Sequence, residues 1–160
     1  MARGIQADIK QRKRFSSLEE EVFIALMRTA DRLARRGAEM LRQHGLSPTQ
    51  YNALRILRGA GTKGLACSEI GERMINHDPD VTRLVDRLER RGLVQRSREP
   101  QDRRVITTRI TTAGLEVLRG LDRPIAEFHL NLLGRLGENR LHSLLRLLQA
   151  AREQADKRVA

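Results

Sequence analysis

The segment VTRLVDRLERRGLV, residues 81–94, carries the clearest structural pattern of this 160-residue chain. Its apolar residues fall at positions 81, 84, 85 and 88, which is helical spacing, and Gly92 ends the pattern. Asp78 and Pro79 precede it as a candidate N-cap and first helical residue. We therefore expect an amphipathic helix that begins at about residue 79 and ends at Gly92.

Two β-prone runs, residues 93–97 and 105–110, follow that helix and are joined by a charged loop. This order predicts a β-hairpin. Nine arginines lie between residues 78 and 109. A helix followed by a cationic hairpin can fill one groove of DNA and touch the next, because the charge attracts phosphates and the helix can reach base edges. DNA binding is the leading hypothesis from this region alone.

The composition of the whole chain supports a polyanionic partner. The formal net charge is +11, which favours nucleic acid over a membrane surface. No apolar run is long enough to span a bilayer, and the N-terminus lacks the apolar core of a secretion signal. The single cysteine, Cys67, excludes an intramolecular disulfide and fits a reducing compartment. We expect a cytoplasmic protein with no membrane partner.

Several function classes are disfavoured. Three Phe, one Tyr and no Trp argue against single-strand binding by base stacking. The glycine-rich loop that contains Lys63 lacks the Walker A order, and neither a paired-carboxylate pocket nor a nucleophile–base arrangement is visible. The four histidines are scattered, without a dense Cys/His/Glu cluster. We therefore predict no enzyme, no cofactor and no metal.

Helical spacing elsewhere predicts further helices at residues 17–45, 67–75 and 138–156. Ser47, followed by Pro48, predicts another helix start, and Thr111 caps a helix that Pro124 should kink or split. The predicted fold class is mainly α with a small β-hairpin wing. It is a winged helix-turn-helix flanked by helices.

The inward stripe of the helix at residues 81–91 leaves a polar outer face. Arg83 and Arg87 are four residues apart and share that face, so either could grip the O6 and N7 of a guanine. Thr82 could contact a thymine methyl or a phosphate. Asp80 could accept from a cytosine amino group, or it could only complement the helix dipole. We favour the dipole role for Asp80.

The loop of the hairpin provides a second candidate contact. Pro100 stiffens it, and Arg103 or Arg104 could enter a narrow minor groove, where negative potential is enhanced. Asp102 would repel DNA if left unpaired, so we expect it to orient an arginine by a charge-assisted hydrogen bond.

Three segments together resemble the MarR family of bacterial regulators: VTRLVDRLERRGLV at 81–94, DRR at 102–104 and TTAGL at 111–115. The similarity covers about residues 18–155, and the Asp-x-Arg wing motif is its most specific part. The resemblance implies a homodimer on a palindromic duplex. It also implies that Arg104, with Arg103 as the second candidate, enters the minor groove, that Asp102 holds that arginine, and that Asp86 pairs with a wing arginine.

The resemblance also implies a division of the chain. Residues 47–110 would form the DNA-binding domain, and residues 17–46 with 111–158 would form a helical dimerisation region. Residues 1–16 carry several cations and are expected to be a flexible basic arm.

Members of this family often sense small aromatic acids, metals or oxidants. An oxidant sensor of this family would carry a reactive cysteine in the first helix, and the predicted first helix contains none. Cys67 begins the predicted third helix, and we interpret it as a small buried residue rather than a reactive thiol. Candidate wall residues for an effector pocket are Arg28, Arg32, Tyr51 and Arg55, although the first two could equally be solvated arginines. The expected function is a sequence-specific regulator, most simply a repressor, released by an aromatic or acidic effector. The alternative is a non-specific architectural DNA-binding protein.

Overall fold

A computed structural model describes residues 4–76, 80–98 and 106–157 of the chain. Its contacts divide the chain into two compact units, Met1–Ile110 and Thr111–Ala160. The predicted fold class, mainly α with a β-hairpin, is confirmed. The elements in chain order are α1 Ile5–Asp8, α2 Leu18–Gln43, α3 Pro48–Ala60, α4 Cys67–Arg73, α5 Val81–Arg90, β1 Val94–Arg98, β2 Ile106–Ile110, α6 Thr112–Leu133 and α7 Glu138–Asp156.

The core of the first unit is aliphatic and lies among α3, α4 and α5. Leu54 and Leu57 of α3 and Ile70 of α4 are fully buried. Leu84 and Leu88 of α5 are buried with them, as the inward stripe predicts. Each such side chain contributes about 1.5–3 kcal/mol on leaving water. The stripe therefore fixes which face of α5 points outward.

Helix α3 begins where its capping residues predict. The Ser47 hydroxyl accepts from the Gln50 amide (3.2 Å), and the Gln50 side chain accepts from the Ser47 amide (3.0 Å). This reciprocal box satisfies two of the orphan donors of the first turn. Farther along α3, the buried Asn52 side chain accepts from the Ile75 amide at 2.8 Å. Asn52 thereby ties α3 to the segment that follows α4.

The hairpin is a two-stranded antiparallel sheet in which Val94 faces Ile110 and Arg98 faces Ile106. The first strand begins one residue later than the predicted run 93–97, and the described part of the second predicted run, 106–110, is β2. A third segment joins the sheet, because Leu65 and Thr108 exchange backbone hydrogen bonds of 3.0 and 2.8 Å. These bonds attach the middle of β2, where Thr108 faces Arg96, to the segment before α4.

The second unit contains α6 and α7. Thr111 caps α6 by accepting from the Gly114 amide at 3.1 Å, as predicted. Pro124 lies inside α6, yet the helix runs unbroken from Thr112 to Leu133. Of the two expected effects, a kink or a split, the split is therefore wrong, since losing one amide donor leaves the other bonds of a long helix intact. The predicted final helix, 138–156, matches α7.

The N-terminal segment differs from the flexible arm that its composition suggested. Residues 5–8 form α1, and Asp8 pairs with Arg28 and Arg32 of α2. The composition could not reveal this, because the single acid in the segment has its partners 20 and 24 residues away along the chain. Across the residues described, no helix is long and apolar enough to cross a membrane.

Candidate nucleic-acid interface

Helix α5 starts at an aspartate, although not at the one predicted. Asp80 is the N-cap, and its side chain accepts from the Arg83 amide at 3.1 Å. The expectation that Asp78 caps the helix is thus wrong; Asp78 and Pro79 lie outside the described residues. A cap must stand directly before the first helical residue, and α5 begins at Val81. Of the two roles weighed for Asp80, the structure shows the one at the helix terminus.

The outward face of α5 carries the residues predicted to meet DNA. Thr82, Arg83 and Arg87 are all exposed. The Arg83 guanidinium is held by Asp80, with Nε 3.0 Å from Oδ2. Among the residues described, Arg87 has neither a hydrogen-bond partner nor an ion-pair partner. The Arg87 guanidinium is therefore available to an acceptor on DNA, whereas Arg83 must first break its ion pair with Asp80. Their contact with bases remains a prediction.

A residue that the sequence interpretation missed, Arg96 of β1, joins the hairpin to α5. Its amide donates to Glu89 Oε1 at 2.9 Å, and its guanidinium donates to Glu89 Oε2 through Nε (2.9 Å) and Nη2 (2.6 Å). The same Nη2 lies 2.6 Å from Asp86 Oδ1. Asp86 thus pairs with Arg96 of β1, and its expected pairing with an arginine of the wing motif at 102–104 remains a prediction. This cluster holds the wing strand against the helix.

The Arg96 cluster also shifts the protonation of its members. Hydrogen bonds from the Arg96 side chain, then from its amide, lower the pKa of Glu89. The hydrogen bond to Glu89 raises the pKa of Arg96 despite partial burial. Both groups therefore stay charged at neutral pH. The sequence does not announce this pairing, since it depends on the chain reversing at Gly92, where φ is +68°.

The difference in stability between wild type and Glu89→Gln should depend on pH, because the Glu89 carboxylate titrates and a glutamine does not. A carboxylate with a lowered folded-state pKa stabilises the protein above its unfolded pKa, here about 4.5, and that gain is lost as pH falls through the folded value. Wild type should therefore exceed Glu89→Gln in unfolding free energy at neutral pH, and the gap should close below about pH 4.5.

Urea unfolding of both proteins across that pH range measures the gap. Glu116→Gln, at an exposed position of α6, removes the same charge and serves as the control. A gap that stays constant down to acid pH would show that the charge of Glu89 is not what holds the wing.

The base of the wing is closed by a second arginine, Arg109 of β2. Its Nε donates to the Thr62 carbonyl at 2.8 Å, and its Nη1 donates to the Ser97 hydroxyl. Gly64 lies beside it with φ +68° and ψ −171°. A Cβ at Gly64 would come within 2.6 Å of the Thr108 carbonyl oxygen. Gly64, in the glycine-rich loop that contains Lys63, thus permits a close approach of two backbone segments.

The tip of the wing lies outside the described residues. Asp102, Arg103 and Arg104 fall between 98 and 106, so their predicted roles at the minor groove remain predictions.

The candidate effector residues fall into two pairs, both within the first unit. Arg28 and Arg32 are brought together by Asp8. The Arg55 guanidinium lies 5.8 Å from the centre of the Tyr51 ring, a cation–π distance. Arg28 and Arg32 each pair with Asp8, and their place in an effector pocket remains a prediction.

Cys67 is the first residue of α4, is half-buried and carries a free thiol. Within the part of the chain that the structure describes, no group of His, Cys, Asp and Glu residues could hold a metal ion.

Comparisons with known proteins agree with this geometry. The profile of the MarR family matches residues 46–106. A MarR transcription factor from Planctomyces limnophilus is 43% identical, with 86% of this chain and 99% of that chain covered and a TM-score of 0.65. The repressor MdtR of Bacillus subtilis (strain 168) is 31% identical over 120 residues, covering 72% of this chain and 76% of the repressor. The regulator PcaV of Streptomyces coelicolor, solved with its natural ligand, is 28% identical, with 80% and 92% of the two chains covered and a TM-score of 0.67.

Proposed function

This chain belongs to the MarR family of transcriptional regulators, and from that premise we propose that it is a homodimeric repressor. Each dimer binds a palindromic operator in double-stranded DNA, and a small-molecule effector releases it. The resemblance to a named repressor and to a ligand-bound regulator supports both halves of this proposal.

One observation carries the DNA-binding part: the exposed Thr82, Arg83 and Arg87 share the outward side of α5, and Arg96 holds a hairpin against that helix. In a helix-turn-helix, the N-terminal part of the second helix enters the major groove. On this proposal Arg83 and Arg87 read guanines, and Thr82 touches a thymine methyl or a phosphate. The wing residues Arg103 and Arg104, oriented by Asp102, supply the minor-groove contact.

Exposed apolar side chains support the dimer. Helix α2 presents a stripe of them at helical spacing, including Val22 and Phe23, which are 56% and 61% exposed. Soluble monomers rarely expose such continuous apolar surface, and a second copy of the chain would bury it. The large apolar side chains left exposed on the helices outside residues 47–110 are Leu18, Val22, Phe23, Leu26, Met27, Leu130, Leu144, Leu145 and Leu147.

Two pairs of side chains, Arg28 with Arg32 and Tyr51 with Arg55, support a response to an acidic or aromatic effector. Guanidinium groups bind carboxylates with well-defined geometry, and the Tyr51 ring offers a face for stacking beside Arg55. Arg28 and Arg32 already hold a carboxylate, that of Asp8.

Selection of bound duplexes from a random pool tests the proposal. We expect a pseudo-palindrome whose half-sites are about 10 base pairs apart, centre to centre, with affinity that falls as salt rises. Sedimentation of the unbound protein should give twice the chain mass of 18.3 kDa. A scrambled duplex of equal composition is the control. A monomer, or a selection with no consensus, would refute the proposal.

The net charge of +11 favours one alternative, a non-specific architectural protein. Equal affinity for the selected and the scrambled duplex, at every salt concentration, would establish that alternative instead.

A further inference from the structure

The N-terminal segment and α2 together form an occupied anion site. Asp8 presents its two carboxylate oxygens to two different arginines of α2: Oδ1 lies 2.5 Å from Arg32 Nη2, and Oδ2 lies 3.7 Å from Arg28 Nε. Arg28 and Arg32 are one helical turn apart, so their side chains share a face of α2. The Asp8 side chain is only 27% exposed. The arrangement is that of a ligand in a site, although the ligand belongs to the same chain.

Asp8 fills this site imperfectly. Arg28 Nε is buried, and among the described residues it has no hydrogen-bond partner. The 3.7 Å to Asp8 is an ion-pair distance and is too long for a hydrogen bond. A buried donor without an acceptor is costly. A carboxylate that is not tied to the backbone of α1 could approach Arg28 more closely and satisfy it.

The segment that carries Asp8 is folded but weakly held. The side-chain amides of Gln6 and Gln11 both donate to the Lys13 carbonyl, at 3.2 and 2.9 Å, which closes the segment on itself. Lys10 has φ +57°, a left-handed conformation that residues other than glycine seldom adopt. These internal bonds and this strain belong to the segment and do not attach it to α2.

Apolar side chains flank Asp8. Ile5 and Ile9 are half-buried in the segment that packs against α2. A ligand that replaces the segment would therefore need a carboxylate for the arginines and a small apolar body for the surface uncovered. Inorganic phosphate carries the negative charge but has no apolar group to cover that surface.

We propose that Arg28 and Arg32 form a binding site for a small monocarboxylate, and that Asp8 occupies this site as a built-in competitor. When the ligand binds, Asp8 leaves and the N-terminal segment separates from α2. The regulatory consequence of this site rests on the proposed function. The binding of the monocarboxylate does not depend on that function.

Butyrate is the probe, and the Nε–H signals of the arginine side chains of the full chain, followed by nuclear magnetic resonance, are the readout. Asp8→Asn removes the competing charge with little change of shape. An internal competitor weakens apparent affinity by the fraction of time that the site is open. Butyrate should therefore shift the Arg28 signal at a concentration about tenfold or more lower in Asp8→Asn than in wild type.

Asp31→Asn is the matched control, because Asp31 pairs with Arg35 on the same helix at 3.0 Å and its loss changes the charge equally. Its titration should match that of wild type. Equal butyrate affinity in Asp8→Asn and wild type, or an equal gain in both variants, would overturn the proposal. An equal gain for inorganic phosphate would overturn the assignment of the site to a carboxylate.

Limited digestion with trypsin gives a second readout that does not depend on a variant. Lys10, Arg12, Lys13 and Arg14 are exposed cleavage positions in the segment. Butyrate should speed cleavage there several-fold in wild type, because a released segment fits a protease better than one held by Asp8. An unchanged cleavage rate at saturating butyrate would refute displacement. Failure of the wild-type chain to bind any selected duplex would refute the proposed function and leave these titrations unaffected.

Discussion

Replacing Arg87 by Ala should reduce affinity for the selected operator by roughly 30-fold to 20,000-fold. A bidentate arginine–guanine contact is worth about 1–3 kcal/mol, and a dimer on a palindrome loses two of them at once. Replacing Arg87 should reduce operator affinity more than replacing Arg83, because Arg83 must first break its ion pair with Asp80, which lies 3.0 Å from its Nε. Titration of labelled duplex at fixed salt measures the loss.

The salt dependence of the same titration identifies what Arg87 contacts. Loss of a base contact leaves the salt slope nearly unchanged and reduces discrimination between the operator and its scrambled counterpart. Loss of a phosphate contact lowers affinity for both duplexes and reduces the slope by about 0.9 for each phosphate. Arg119→Ala, at an exposed position of α6, removes an equal charge and should cost little. If Arg87→Ala bound the operator as tightly as wild type, the proposed contact of Arg87 with a base would be refuted.

Replacing Gly64 by Ala should destabilise the protein by about 2–6 kcal/mol. Two effects add: a side chain in a conformation that only glycine tolerates costs about 1–3 kcal/mol, and overpacking costs about as much again. The added Cβ would lie 2.6 Å from the Thr108 carbonyl oxygen, a backbone atom that accepts from Leu65 and cannot simply rotate away. Urea unfolding followed by circular dichroism measures the loss.

Gly59 provides a control of opposite sign. It lies in α3 with φ outside the left-handed region and no atom within 4 Å of a built Cβ. Gly59→Ala should therefore be neutral or should stabilise the protein by up to about 1 kcal/mol through helix propensity. Equal stability of Gly64→Ala and wild type would mean that the junction between Leu65 and β2 is looser than its bond lengths indicate.

Helix α5 shows how far a sequence pattern reaches. The spacing of Leu84, Val85 and Leu88 predicted their burial, because a helix with one apolar side must turn that side to the core. The outward residues followed from the same spacing. The cap was misplaced by two residues, since both Asp78 and Asp80 suit that position and only the backbone path selects between them.

The N-terminal segment shows where such patterns stop. Its basic composition suggested a flexible arm, but one carboxylate, Asp8, finds two guanidinium groups on α2 and holds the segment there. Composition averages charge over a segment, whereas an ion pair depends on where two individual atoms lie. Pro124 is the converse case, a strong local signal that a long helix overrides.

Local chemistry, readable from the printed residues, determined the helices, the hairpin, their order and the family. Apolar periodicity and capping act over a few neighbouring residues, and each leaves its mark in the sequence. The tertiary structure alone decided how the wing is attached, because Arg96 meets Glu89 and Asp86 only after the chain reverses at Gly92. It also decided the need for glycine at Gly64 and the pairing of Asp8, since these depend on distances between segments that only folding brings together.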